Sequence, residues 1–247
     1  MLVKQAANVL EILEFYAVYK KPATLAEVSQ HFGWPRSSTF NLLSTLVDRG
    51  FLYEPRARGG FFPTSRWLAL SQEIAAAEPL PDVLLKLLHD LAQRTGETVW
   101  IAAPSGQHAV FLEVIEASAS IRYTAKAGNR VPLYATATGQ ALLCQMTETQ
   151  RNSILRKTVF ERYGEGTPMS IETVENSIRT SLHRGWFSSA SAYNPDLCGV
   201  AVPLKIDQRI LAVTVAGPLF RMKDRAEEMA DHLNQLIEMY LSQRTPG

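Results

Sequence analysis

The sequence predicts an α+β protein in two parts. A small helical head closed by a two-stranded wing comes first, then a connecting helix. The larger C-terminal body has a mainly antiparallel sheet flanked by helices. Three observations predict this. Two short helical patterns are separated only by Gly33 and Trp34 and are followed by a basic, glycine-rich hairpin. Beyond Pro81, β-branched and aromatic runs alternate with turn residues and amphipathic helical stretches. Charge is also unevenly spread: residues 1–66 hold eight Lys/Arg and five Asp/Glu, a surplus of three, in a chain whose net charge is +1. A basic head on a body carrying −2 fits a nucleic-acid module joined to a domain of another kind. At 247 residues the chain suits two domains. The expected divisions are 1–64, a linker and dimerisation helix over 65–79, and 80–247.

A first helix over Val3–Tyr19 carries Ala7, Leu10, Ile12, Leu13, Phe15 and Tyr16 on a broad apolar face. Thr24 with Glu27 three residues later makes a capping box for a helix running to Phe32, with Leu25, Val28 and Phe32 inward. Gly33 supplies the corner. Pro35 suits the first position of a second helix reaching Asp48, whose buried stripe is Phe40, Leu43, Leu46 and Val47. Phe51-Leu52-Tyr53 and Phe61-Phe62 form the wing strands around the Arg56-Ala57-Arg58-Gly59-Gly60 tip. The 65–77 helix is apolar enough to need a partner, and a second copy of the chain suits it.

In the body, helices are expected at Asp82–Thr95, Gly139–Met146, Glu148–Lys157, Ser170–Arg184 and Asp224–Leu241. Strands are expected at Thr98–Ala103, Val110–Ile115, Ser120–Lys126, Trp186–Ala192, Val200–Ile206 and Ile210–Ala216. Hairpin-paired strands with helices at the ends indicate a sensor-like α+β domain.

The head is a winged helix-turn-helix, which touches a duplex through its second helix and its wing. The candidate DNA-binding residues are Arg36, Ser37, Ser38, Thr39, Asn41 and Thr45 on the helix and Arg56 and Arg58 on the wing. Short hydroxyls and helix N–H groups hold phosphates, and Arg36 or Asn41 can read a base edge. The expected partners are double-stranded DNA at a palindromic site and a second copy of the chain, as dimer or tetramer. Cys144 and Cys198 belong to no Cys/His cluster, so no structural zinc and no other cofactor is expected. The start has no signal-peptide layout and no run is long enough to span a bilayer, so a cytoplasmic protein is expected.

Three blocks in order resemble the IclR-type bacterial transcriptional regulators over nearly the whole chain. They are Gly33-Trp34-Pro35-Arg36-Ser37-Ser38-Thr39 with Leu42, Leu43 and Leu46; Gly128-x-x-Val131 through Leu143; and Arg184-Gly185-Trp186 with Gly199–Leu204 and Val213–Pro218. The resemblance implies a winged helix-turn-helix, a GAF-like sensor domain, self-association, and a small metabolite that alters DNA binding. The chain departs from the family pattern at Asn41, where an arginine is usual, and at Phe62-Pro63-Thr64-Ser65 after the wing. In relatives that bind very small oxo-acids, an aspartate, a cysteine and two serines line the pocket. Ser189, Gly199, Thr214 and Ala216 stand at those positions here, which implies a roomier, less polar pocket.

The turn Ala135-Thr136-Ala137-Thr138-Gly139 opens a helix, where unpaired N–H groups and the dipole favour an anion. Plain N-capping by Thr138 is the alternative there. The effector is therefore expected to be a small organic acid, aromatic or at least larger than glyoxylate, controlling a catabolic operon. Cys198, beside Gly199, joins the candidate effector-binding residues. Trp100, Tyr123, Tyr134 and Trp186 serve either as pocket walls or as core.

Two other functions compete with a ligand-responsive regulator. One is an enzyme with Cys198 as nucleophile, His183 or His108 as base, and the helix-turn-helix as an interaction module. The other is a constitutive architectural DNA binder.

Overall fold

The computed structural model describes residues 3–56, 59–77, 80–206 and 208–242, and it divides the chain into two units, 1–79 and 80–247. In the first unit, α1 (Lys4–Tyr19) packs with α2 (Leu25–Phe32) and α3 (Arg36–Asp48) around Ile12, Phe15, Tyr16, Val28, Leu43 and Leu46. Thr24 accepts from the Glu27 N–H while the Glu27 carboxylate accepts from the Thr24 N–H, a complete capping box. Gly33 ends α2 at φ +65, a left-handed conformation that glycine adopts without strain, and this makes the corner into α3. Strands β1 (Leu52–Tyr53) and β2 (Phe62–Pro63) pair antiparallel as the wing. Tyr16 Oη donates to the Phe61 carbonyl at 2.8 Å and fixes the wing's base to α1. Helix α4 (Arg66–Ala77) follows, held at its start by Trp67 Nε1 donating to the Phe51 carbonyl at 2.9 Å. Leu68, Leu70 and Ile74 of α4 are exposed.

The second unit is built on a six-stranded antiparallel sheet. Its strands are β3 (Thr98–Ser105), β4 (His108–Ile115), β5 (Arg130–Pro132), β6 (Phe187–Ala190), β7 (Leu197–Ile206) and β8 (Arg209–Pro218), in the order β5-β4-β3-β8-β7-β6. Side chains alternate across a strand, and the two faces of this sheet have different chemistries. One face presents Val99, Ile101, Val200, Val202, Val213 and Val215 to α5 (Asp82–Thr95) and α10 (Ala226–Leu241). The other presents Ala102, Gly199, Ala201, Ala212, Thr214 and Ala216. It packs against α6 (Ala137–Leu143), with α7 (Glu148–Leu155) and α8 (Ile171–Arg184) beyond. Small residues on that face let α6 approach the sheet and leave space beside it. Between β8 and α10 lie the short α9 (Leu219–Met222) and a 3₁₀ turn over Lys223–Arg225.

Three sequence expectations change. Residues 120–126 form a loop rather than a strand, because their backbone is held by side chains: Thr98 Oγ1 donates to the Tyr123 carbonyl, and Arg221 donates to the Ile121 carbonyl. The edge strand β5 is too short for its period to show in the sequence. Phe40 is 52% exposed, since Thr39, Leu43 and Leu46 take the buried stripe of α3 and leave Phe40 on its flank.

Candidate functional site

On α3, Ser37, Asn41 and Thr45 recur at four-residue spacing on one exposed face, with Arg36 and Ser38 exposed beside them. Pro35 caps the helix without a side-chain hydrogen bond, so no side chain of the cap occupies the first-turn N–H groups. The positive end of the dipole therefore points at the same place as Arg36 and two serine hydroxyls. Thr45 Oγ1 donates to the Asn41 carbonyl at 2.7 Å, leaving its lone pairs outward. Thr39 does not belong to this face. It is fully buried and donates to the Pro35 carbonyl at 3.0 Å, so its hydroxyl serves its own helix. Arg56 is exposed on the wing, and Arg58 lies outside the described residues.

In the body, a cavity opens between the small-residue face of the sheet and the start of α6. Its lining includes Trp100, Phe111, Tyr123, Thr136, Thr138, Ser189, Tyr193, Asn194, Leu197, Gly199, Thr214 and Ala216. Strand register explains the grouping. Ser189, Gly199 and Ala216 form one cross-strand row, and Ala201, Thr214 and Trp100 form the next. Trp100 stacks on Phe111 with centroids 4.6 Å apart. Its Nε1 donates to Thr138 Oγ1 at 3.2 Å, and Thr138 Oγ1 lies 2.8 Å from Thr214 Oγ1. One hydroxyl of that pair donates to the other, which leaves one hydroxyl hydrogen for a third group. Among the described residues no Asp, Glu, Lys, Arg or His lines the cavity, so it is walled by rings and methyls with a few hydroxyls and an amide.

The helix-dipole argument gives way here. α6 has only seven residues, and its N-cap is Thr136 rather than Thr138. The Thr136 hydroxyl accepts from the Gly139 N–H and donates to the Pro132 carbonyl, so it has no hydrogen left to donate to a carboxylate. Thr136, Ala137 and Thr138 line the cavity, but Ala135 and Gly139 do not. Ala135 is packed in the core. Gly139 is glycine for contact with the backbone, since a Cβ there would stand 2.2 Å from the Leu133 carbonyl oxygen.

Cys198 is also misplaced by the sequence reading. Gly199 faces the cavity, so its neighbour Cys198 faces the opposite side of the sheet, among the valines. Burial pushes its thiol up to about 11, the reverse of an activated nucleophile. Cys144 is pushed up to about 11 by the same cause. Tyr134 is core, with its hydroxyl donating to the Glu161 carbonyl, and Trp186 packs with the valine face. The sequence reading missed Phe111, Val131, Tyr193, Asn194 and Leu197. Leu197 was accessible from the period-2 pattern shared with Gly199, but Tyr193 and Asn194 sit in an irregular loop without a periodic signal. No cluster of His, Cys, Asp and Glu suited to a metal occurs among the described residues. No helix among them is long and apolar enough to cross a membrane.

Residues 74–239 match the family model described as "Bacterial transcriptional regulator IclR C-terminal", and residues 5–56 match the "IclR helix-turn-helix domain". The chain is 24% identical over 219 residues to the "Transcriptional repressor IclR" of Escherichia coli, covering 87% of this chain and 80% of that protein. Its fold is similar to that of the Thermotoga maritima IclR crystal structure, with a TM-score of 0.78 at 20% identity, covering 96% of this chain and 97% of that one. An IclR homolog from Microbacterium hydrocarbonoxydans, solved in complex with 4-hydroxybenzoate, matches with a TM-score of 0.70 at 22% identity, covering 95% and 99%.

Proposed function

The chain belongs to the IclR family of DNA-binding transcriptional regulators, and from that premise we propose that it controls a catabolic operon in response to an organic acid larger than glyoxylate, anchored by its acid head in the cavity beside α6. One observation carries this reading. The cavity walls are Trp100, Phe111, Tyr123 and Leu197, with no ionised side chain among the described residues, and its polar groups converge at Thr138, Thr214 and Ser189. Such walls reward the apolar atoms next to an acid head, while the hydroxyls orient the head itself. A hydrogen bond to a charged acceptor is worth about 1.5–3 kcal/mol, enough to select a carboxylate head over a methyl one. The Microbacterium neighbour's aromatic acid supports the same class of ligand.

On this reading the head holds a palindromic operator through α3 and the wing, and the protein acts as a dimer or tetramer. The exposed apolar side chains of α4 support self-association. The effector changes operator affinity only by its differential affinity for the two conformational states, and DNA must shift effector affinity by the same factor. The relatives are named as transcriptional regulators rather than enzymes. The position of Cys198 across the sheet from the cavity removes the nucleophile of an enzymatic reading.

The test is a thermal-shift screen of the full chain against aliphatic and aromatic carboxylates, followed by operator gel shifts with any acid that stabilises it. A dose-dependent rise for one class, together with a change in DNA affinity, is the expected result. No stabilisation by any carboxylate would refute the ligand assignment.

A further inference from the structure

The inner cavity is small. Its enclosed space of about 20 Å³ holds little more than one water molecule. A metabolite cannot sit wholly inside it, yet three of its wall residues, Tyr123, Asn194 and Leu197, also line a second space. That space is an open groove of about 610 Å³ running outward over α9 and the 120–123 loop. The two compartments therefore meet at a threshold made of those three side chains.

The groove is chemically unlike the chamber. Its floor is Leu197, Pro218 and Leu219, and its lips are Ile121 and Phe220, which are 62% and 75% exposed. Large apolar side chains left this far exposed to water around a concavity mark a surface that is covered when in use. Its charges balance. Arg122 is bound to Glu116, and Lys223 stands in the same groove as Asp196 and Asp224. With two basic and two acidic side chains in its lining, the groove has no net attraction for a carboxylate, whereas the chamber offers the Thr138–Thr214 hydroxyl pair and Ser189. The groove is also a fixed feature. The loop backbone is tied at Ala117 and Tyr123 by the Thr98 hydroxyl and at Ile121 by Arg221, and Arg221 is paired with the buried Glu97. The side chains of Tyr123 and Asn194, which line both compartments, therefore stand on a loop framework that is held in place.

We propose that the effector is an elongated amphiphilic monoacid whose carboxylate enters the inner chamber and whose apolar body lies in the outer groove on Ile121, Leu219 and Phe220. This rests on the proposed function, because the chamber is the effector site in both. It adds a ligand class, an acid separated from its ring or chain terminus by several methylenes, and it assigns Ile121 and Phe220 as specificity-determining residues.

The test is isothermal titration of the full chain with phenylalkanoates from benzoate to 5-phenylvalerate. Each added methylene should tighten binding about three- to fourfold until the groove is filled, the ratio expected for a buried CH₂. In an Ile121→Ser, Phe220→Ser double variant, both positions being solvent-exposed and so tolerant of the change, that gain should flatten while benzoate binding is kept. Ser189→Ala should weaken every member by a similar factor. Equal affinity along the series, or a gain untouched by the double variant, would overturn the two-compartment inference and leave the acid-sensing reading standing. No binding by any member, short or long, would overturn both.

Discussion

Gly199→Ala should make the protein more stable and less responsive, two effects of opposite sign from one methyl group. Gly199 lies in β7 with an ordinary strand conformation, so alanine brings no backbone strain there. A Cβ built on it would meet Ser189 Oγ at 3.5 Å, the Ala216 Cβ at 3.8 Å and the Ala137 Cβ at 4.0 Å, all normal contacts. The substitution lowers the entropy of the unfolded chain by about 0.4–1 kcal/mol. Burying the methyl adds about 0.8 kcal/mol. Together these should raise the melting temperature of a domain this size by about 3–7 °C. The same methyl enters the chamber of about 20 Å³ proposed to receive the effector's head. Affinity for the acid giving the largest thermal shift should fall at least about tenfold, a loss of about 1.4 kcal/mol. Differential scanning fluorimetry with and without the acid reads both effects in one experiment. A raised melting temperature with the full acid-induced shift retained would refute the placement of the head in this chamber. A lowered melting temperature would refute the packing around Gly199.

Arg221→Leu strands the Glu97 carboxylate, which is 1% exposed, and should cost about 3–5 kcal/mol. Chemical denaturation should show this loss, and a Glu97→Gln, Arg221→Leu pair should recover part of it. The thiols of Cys144 and Cys198 are pushed up to about 11 from an ordinary 9.0 by burial. Because the folded state holds those protons longer than the unfolded one, stability is present below about pH 9 and is lost as pH rises toward about 11. A denaturation series across that window should show the fall, and Cys198→Ala should make it shallower. Arg36→Ala should weaken binding to all DNA sequences and reduce the salt slope of log K by about one, the signature of a lost phosphate contact. Asn41→Ala should lower discrimination between operator and random DNA in the same gel-shift assay if Asn41 reads a base edge.

The head was legible in the sequence because its signals are local: a capping box at Thr24 and Glu27, a corner at Gly33, and a basic turn between two apolar pairs. Its error at Phe40 and Thr39 has a local cause too. A polar threonine that donates to its own helix can occupy an inward position, and the apolar stripe then shifts by one residue. In the body, the helices and the long strands β3, β7 and β8 follow from periodicity. The cavity was only half legible. Thr214, Ser189 and Gly199 are far apart in sequence and meet through strand register, with Thr138 brought to them by the packing of α6, neither of which composition encodes. The assignment of Cys198 to the pocket failed on parity alone, since it is one residue from Gly199 and therefore on the other face.

The division of labour across the sheet separates two kinds of change. On β7, positions 197, 199 and 201 face the cavity side, while 198, 200 and 202 face the valine-packed side; on β8, 214 and 216 face the cavity while 213 and 215 do not. Under the proposed function, substitutions at one parity redraw what the protein senses, and substitutions at the other alter how firmly it holds its shape. On that reading, a lineage with this sheet can exchange one effector for another by altering alternate letters of two strands, while the letters between them keep the domain folded throughout.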